Sequence, residues 1–80
     1  MKKYLITGIG GFVGRYFWEY LLIHEPDVQV LGLDMMQKSP WNHPALQYEA
    51  LNLMDASAIG KVVESFRPDC IIHLASMSSV

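Results

Sequence analysis

The chain has 80 residues, of which 51% are hydrophobic and 18% are charged, and its formal net charge is −2. This composition predicts one small folded domain, and the slight negative charge argues against partners such as nucleic acid or an anionic membrane surface. No apolar run approaches the ~20 residues that span a bilayer, and a single cysteine, Cys70, suits a reducing compartment. We therefore expect a cytoplasmic protein without a membrane segment.

A glycine-rich segment joins the first predicted strand, residues 3–7, to the first predicted helix, residues 11–24. Gly8, Gly11 and Gly14 follow the pattern G-x-x-G-x-x-G. A turn of this kind leaves the free N–H groups and the positive dipole end of the helix where a pyrophosphate can bind. We expect one glycine to make the turn, one to let the ligand approach the backbone, and one to let the helix pack closely.

The first helix ends before Pro26, which cannot continue it. Along this helix, the spacing of apolar residues predicts that Phe17 and Tyr20 face the core. Trp18 and Leu22 then lie off that face, where they could contact a partner or further parts of the protein.

The remaining chain alternates strand and helix, which predicts a parallel sheet. We expect strands at residues 28–33, 47–50 and 70–74, a loop at 35–45, and a second helix that starts near Asp55 and carries Ile59, Val62, Val63 and Phe66 on one face. Right-handed crossovers give the strand order 3-2-1-4. The predicted fold is therefore α/β, the N-terminal portion of a Rossmann-type doubly wound sheet, with a ligand crevice between strands one and four. The fourth strand is left as an unpaired apolar edge, so we expect marginal stability or pairing with another chain.

Asp34 ends the second strand, about 20 residues beyond the last glycine of the turn, where an acid can bind both hydroxyls of an adenosine ribose. Its charge would repel a 2′-phosphate, and Met35 and Met36 offer no cation to bind one. Arg15, close to the turn, is the residue that could serve a phosphate. The pattern favours NAD over NADP. Taken alone, Asp34 could also be an ordinary acid at a strand end.

The glycine spacing, with Thr7 in front and Phe12-Val13 before the last glycine, resembles the extended branch of the short-chain dehydrogenase/reductase family. That branch holds NAD-dependent nucleotide-sugar epimerases, dehydratases and reductases. Its catalytic Ser/Thr and Tyr-x-x-x-Lys lie further along the chain than residue 80. The resemblance thus implies that residues 1–80 are the N-terminal part of an NAD(P)-binding Rossmann domain, without the catalytic and substrate-binding parts.

The resemblance also assigns residues around the cofactor. Asn52 stands where the family has an acid that binds the adenine amine, and the next backbone N–H, of Leu53, meets a ring nitrogen. The segment Leu74-Ala75-Ser76 resembles the family's fourth strand, where small residues let the backbone approach the cofactor. His73 is expected to be structural, packing or bonding to backbone. The predicted cofactor-binding residues are Gly8, Gly11, Phe12, Val13, Gly14, Asp34, Asn52, Leu53, Leu74, Ala75 and Ser76, with no catalytic or metal-binding residue among them.

The implied function is hydride transfer at a sugar carbon in the full-length protein, with a nucleotide-sugar substrate and a homodimeric assembly, whereas residues 1–80 alone are not expected to catalyse it. An alternative is a non-catalytic nucleotide-binding or regulatory module that shares the glycines and Asp34. A methyltransferase also fits acids at strand ends, but its glycine pattern would require glycine at position 12, which is Phe12.

Overall fold

The computed structural model describes residues 2–74, which form a four-stranded parallel sheet with one helix on each face. The elements are β1 (Lys3–Thr7), α1 (Phe12–His24), β2 (Gln29–Asp34), β3 (Leu46–Ala50), α2 (Ala56–Phe66) and β4 (Cys70–His73). The strand order is β3-β2-β1-β4. The predicted fold class, element order and strand order are confirmed. Ala75 and Ser76 lie outside the described residues.

Two apolar clusters hold the helices against the sheet. Successive strand residues point to opposite faces, so Tyr4 and Ile6 pack on the α1 side whereas Leu5 packs on the α2 side. The α1 cluster consists of Tyr4, Ile6, Ile9, Trp18, Leu21, Val28 and Val30. The α2 cluster is built on Leu5, Leu31 and Leu33 and is covered by Leu51, Leu53, Val62, Val63 and Phe66. β2 is buried on both faces because it lies between β1 and β3 and contributes to both clusters.

The buried face of α1 differs from the one that the sequence predicted. Trp18 is 5% exposed, whereas Tyr20 is 54% exposed, and Leu22 packs partly against the core. The expectations for Trp18, Tyr20 and Leu22 were therefore wrong, while the inward position of Phe17 is confirmed by its packing on the cluster. The physical reason is Gly14, which packs closely against the backbone of the buried Ile9. Trp18 lies one turn later on the same side of the helix.

Local signals define α2. The Asp55 side chain caps the helix by accepting a hydrogen bond from the Ala58 N–H at 3.1 Å. At the other end Arg67 takes the left-handed conformation, with φ of 53°, and its N–H donates to the Val63 carbonyl at 2.8 Å. The predicted start of this helix near Asp55 is confirmed. No helix among residues 2–74 has both the length and the apolar character that crossing a bilayer requires.

A hydrogen bond joins the start of β1 to the end of α1 and makes stability sensitive to alkaline pH. The Tyr4 hydroxyl donates to the Glu25 carboxylate, which lies 3.6 Å from Lys2 Nζ. This bond, together with burial and the negative charge of Glu25, raises the pKa of Tyr4 from 10.0 to about 12. Because the pKa is higher in the folded state, this stabilisation is fully present below pH 10.0 and is lost as the pH rises through about 12.

We therefore expect the difference in free energy of unfolding between the parent and Tyr4→Phe to shrink over this pH range. Urea denaturation at a series of pH values measures it. Tyr16→Phe is the matched control, because Tyr16 is 62% exposed on α1. A difference between parent and Tyr4→Phe that stays constant with pH would contradict the prediction.

Candidate functional site

The turn after β1 is shaped by Gly8. Gly8 has a positive φ of 75°, a conformation that is costly for residues with a Cβ. Its N–H donates to the Leu33 carbonyl of β2 at 2.8 Å, and its own carbonyl accepts from the Gly11 N–H at 3.1 Å. The chain therefore reverses at the carboxyl end of β1 and leads directly into α1.

The N-terminus of α1 is free of competing groups. Gly11 is the N-cap residue and supplies no side chain, and the first turn carries no acid. The N–H groups of the first turn have no acceptor within the helix. The side chains of Phe12 and Val13 are 78% and 43% exposed, so these two residues can contribute to a site mainly through their backbone. An anion can therefore approach these N–H groups and the positive end of the helix dipole.

Gly14 lets the helix approach the turn closely. A Cβ on Gly14 would lie 2.4 Å from the Ile9 carbonyl oxygen, far inside contact distance. Ile9 is fully buried, and its side chain fills the space over Gly32 of β2, where a Cβ would lie 2.7 Å from Ile9 Cγ2. Sequence analysis assigned no role to Ile9 or Gly32. The glycine within a run of buried strand residues was the signal for this close approach.

Asp34 lies directly beside the turn. Its Oδ2 accepts a hydrogen bond from the Gly10 N–H at 2.8 Å, and its Oδ1 accepts one from the Met35 N–H at the same distance. A Cβ on Gly10 would lie 3.0 Å from Asp34 Oδ2. The two backbone bonds orient the carboxylate and leave further lone pairs for a ligand. Sequence analysis missed Gly10, which lies between the glycines of the repeat.

Asn52 and Leu53 follow β3 at the same edge of the sheet. The Leu51 N–H donates to the Asp34 carbonyl at 3.0 Å, which holds this segment next to the end of β2. The exposed Asn52 uses its Oδ1 to accept from the Met54 N–H at 2.9 Å, and its second lone pair remains for another donor. Leu53 is half-buried and packs on the α2 cluster.

The ends of β1 and β4 are joined across the predicted crevice. Thr7 Oγ1 and His73 Nδ1 are 2.5 Å apart, and the Leu74 N–H donates to the Thr7 carbonyl at 3.0 Å. His73 was expected to pack or to bond to backbone, and the structure shows its ring bonded to a side chain instead. The register pairs Thr7 with His73 directly, which explains the contact.

The ion pairs leave Asp34 without a cationic partner among the described residues. Within residues 2–74, the two ion pairs are Lys2–Glu25 and Arg15–Glu19, the latter with 3.8 Å between Arg15 Nε and Glu19 Oε2. Arg15 therefore has a partner on its own helix and does not pair with Asp34. In the same part of the chain, no three His, Cys, Asp or Glu side chains form a group that could bind a metal ion.

The chain that carries this glycine turn and oriented acid matches a known family. A family model described as the NAD dependent epimerase/dehydratase family matches residues 4–80. The chain belongs to this family. The resemblance to short-chain dehydrogenase/reductase enzymes that the glycine spacing indicated is thus confirmed.

Individual curated proteins are similar to the chain along almost its whole length. It is 28% identical to the dTDP-glucose 4,6-dehydratase of Haemophilus influenzae, covering 100% of this chain and 26% of that protein. It is 35% identical to the methionine adenosyltransferase 2 subunit beta of Xenopus tropicalis, covering 94% of this chain and 20% of that protein. The chain therefore spans 26% and 20% of the length of these two relatives.

A solved structure shares the fold of this chain. The Bordetella bronchiseptica enzyme WbmH, crystallised in complex with NAD+, superimposes with a TM-score of 0.79 at 30% identity. The match covers 94% of this chain and 26% of that enzyme. The sheet and helices described above therefore have the fold of the matching part of that enzyme.

Proposed function

We propose that residues 1–80 are the N-terminal part of a Rossmann domain that binds NAD in a nucleotide-sugar epimerase, dehydratase or reductase. The observation that carries the proposal is the Asp34 carboxylate, held by the Gly10 N–H beside an uncapped helix N-terminus. A carboxylate that can accept ribose hydroxyls beside N–H groups that can bind a pyrophosphate is the order that a dinucleotide requires, and this supports the proposal. The complex of WbmH with NAD+ supports the choice of ligand.

The residues of the site fit such a ligand in a defined way. The N–H groups after Gly11 would bind the pyrophosphate, and the free lone pairs of Asp34 would accept the ribose hydroxyls. The Asn52 amide and the Leu53 backbone would meet the adenine. Leu74, with Ala75 and Ser76 after it, would let the backbone approach the cofactor towards its nicotinamide half.

In this proposal residues 1–80 bind and orient the cofactor, and the catalytic groups come from other parts of the protein. Bound NAD would accept a hydride from a sugar carbon. Sequence beyond residue 80 would supply the proton-transferring tyrosine with its lysine, and the nucleotide-sugar site. The acidic character and single cysteine of the chain support a cytoplasmic protein without nucleic-acid partners. A homodimer is part of the proposal on the family resemblance alone.

Asp34→Ala tests the cofactor site. We expect NAD affinity to fall by on the order of tenfold to a hundredfold, because hydrogen bonds from the ribose to a charged group are lost. Isothermal titration of the intact natural polypeptide with NAD measures the effect, and circular dichroism verifies that the variant is folded. Asp27→Ala is the matched control, an exposed acid between α1 and β2, away from the turn. Equal affinities for the parent and Asp34→Ala would overturn the proposal.

A second candidate function is a non-catalytic nucleotide-binding or regulatory module. One relative supports this candidate, because it is named as a subunit of methionine adenosyltransferase and not as an epimerase or dehydratase. Incubation of the intact polypeptide with NAD and nucleotide sugars, followed by NMR of the sugar, separates the two functions. A converted sugar supports the enzyme, whereas NAD binding without conversion across the common nucleotide sugars supports the module.

A further inference from the structure

The Met36 side chain lies over Gly10, close to the Asp34 oxygen that the Gly10 N–H binds. A Cβ on Gly10 would lie 2.2 Å from Met36 Cε and 3.3 Å from Met36 Sδ, so the thioether occupies the space that any other residue at position 10 would need. The same point lies 3.0 Å from Asp34 Oδ2. A thioether methyl and a carboxylate oxygen thus share the surface above one glycine.

The backbone on both sides of the thioether is anchored. The Tyr48 hydroxyl of β3 donates to the Met36 carbonyl at 2.6 Å, and the Met35 N–H donates to Asp34 Oδ1 at 2.8 Å. A tyrosine hydroxyl is a donor at neutral pH, and burial, followed by the nearby charge of Asp34, raises the pKa of Tyr48 from its ordinary value of 10.0. Met36 is 41% exposed, compared with 62% for Met35. These contacts hold the backbone from which the Met36 side chain extends over Gly10.

We propose that Met36, in the position that the missing Cβ of Gly10 permits, is a specificity-determining residue that excludes NADP. The inference rests on the proposed function, because it concerns the ribose bound at Asp34. A phosphate on the ribose 2′ oxygen, beside that carboxylate, would meet an apolar thioether that donates no hydrogen bond and displaces the water that could solvate the phosphate. NAD carries no such phosphate and loses nothing by the contact.

Gly10 and Met36 are expected to act together on the preference for NAD over NADP. Met36→Ala removes the thioether and is expected to lower the preference for NAD over NADP by on the order of tenfold, the effect of emptying a small apolar space. Gly10→Ala displaces the thioether and also brings a methyl group 3.0 Å from Asp34 Oδ2. For this variant we expect weaker binding of both dinucleotides, together with the same loss in the ratio of their affinities. The double variant should lose no more than either single variant, because the same contact is removed. Met36→Leu keeps an apolar side chain of similar size and should retain the preference.

The experiment measures the dissociation constants of NAD and NADP by isothermal titration of the intact natural polypeptide and its variants, with thermal melts to confirm folding. Met35→Ala is the matched control, a neighbouring exposed methionine, and should leave the preference unchanged. A preference in Met36→Ala within about twofold of the parent, or losses that multiply in the double variant, would overturn the inference. A parent that binds neither dinucleotide would overturn the proposed function and this inference with it, whereas NAD binding with an unchanged preference in Met36→Ala overturns the inference alone.

Discussion

Gly14→Ala is expected to destabilise the domain by about 3 kcal/mol, at the upper end of the usual cost of overpacking. The added methyl group would lie 2.4 Å from the Ile9 carbonyl oxygen and 2.8 Å from Ile9 Cα. These are backbone atoms, and the Ile9 side chain is fully buried. They therefore cannot move aside as the end of a flexible side chain would. We expect α1 to shift away from the turn, and NAD affinity to fall as the helix N-terminus moves.

Gly60→Ala is the matched control for this variant. Gly60 lies within α2, and a Cβ there would meet nothing within 4 Å. Alanine is the better helix former, so this substitution should stabilise the protein by up to about 1 kcal/mol. Urea denaturation of both variants measures the two free energies of unfolding. If both substitutions change the free energy of unfolding in the same direction, contact with the turn does not determine the cost at Gly14.

Trp18→Ala is expected to have the largest effect of all the variants, a loss of about 4 kcal/mol. Trp18 is 5% exposed and packs in the α1 cluster, with its ring centroid 5.6 Å from that of Trp41 and 5.2 Å from that of His43. Domains have about 0.05–0.15 kcal/mol of stability per residue. In a protein of 80 residues, this one truncation would remove a large part of the total, and we expect a substantially unfolded population.

Tyr20→Ala, two residues along the same helix, is the control. Tyr20 is 54% exposed and contacts Phe17 and His24 on the outer surface of α1, with the Tyr20 and His24 centroids 4.3 Å apart. Its truncation should cost roughly 1 kcal/mol or less. Thermal denaturation followed by circular dichroism ranks the two variants. A larger loss for Tyr20→Ala would restore the helix face that the sequence predicted and contradict the packing described here.

Elements that depend on neighbouring residues could be predicted from the sequence. Asp55 caps α2 through its own side chain, and Arg67 ends the helix directly before Pro68. Gly8 makes the turn because glycine alone takes a positive φ without strain. The strand order also followed, because the handedness of β-α-β crossovers leaves few arrangements open.

The phase of α1 could not be read from its apolar residues, because nearly every face of this helix carries one. Phe12, Tyr16, Tyr20 and Ile23 are all exposed, although each is as apolar as a core residue. Gly14 was the deciding signal, since a glycine required for close packing identifies the face that meets the sheet. Trp18 and Leu21 follow it at helical spacing and are buried.

The sequence by itself determined the order of the strands and helices, the glycine turn and the acid at the end of β2, because turns, caps and strand ends depend on local conformational preferences. Only the tertiary structure decided which residues meet at the site. Gly10 bonds to Asp34, Met36 covers Gly10, and Thr7 meets His73. These contacts join residues far apart in the chain, and they exist only because parallel strands bring their carboxyl ends to one edge of the sheet.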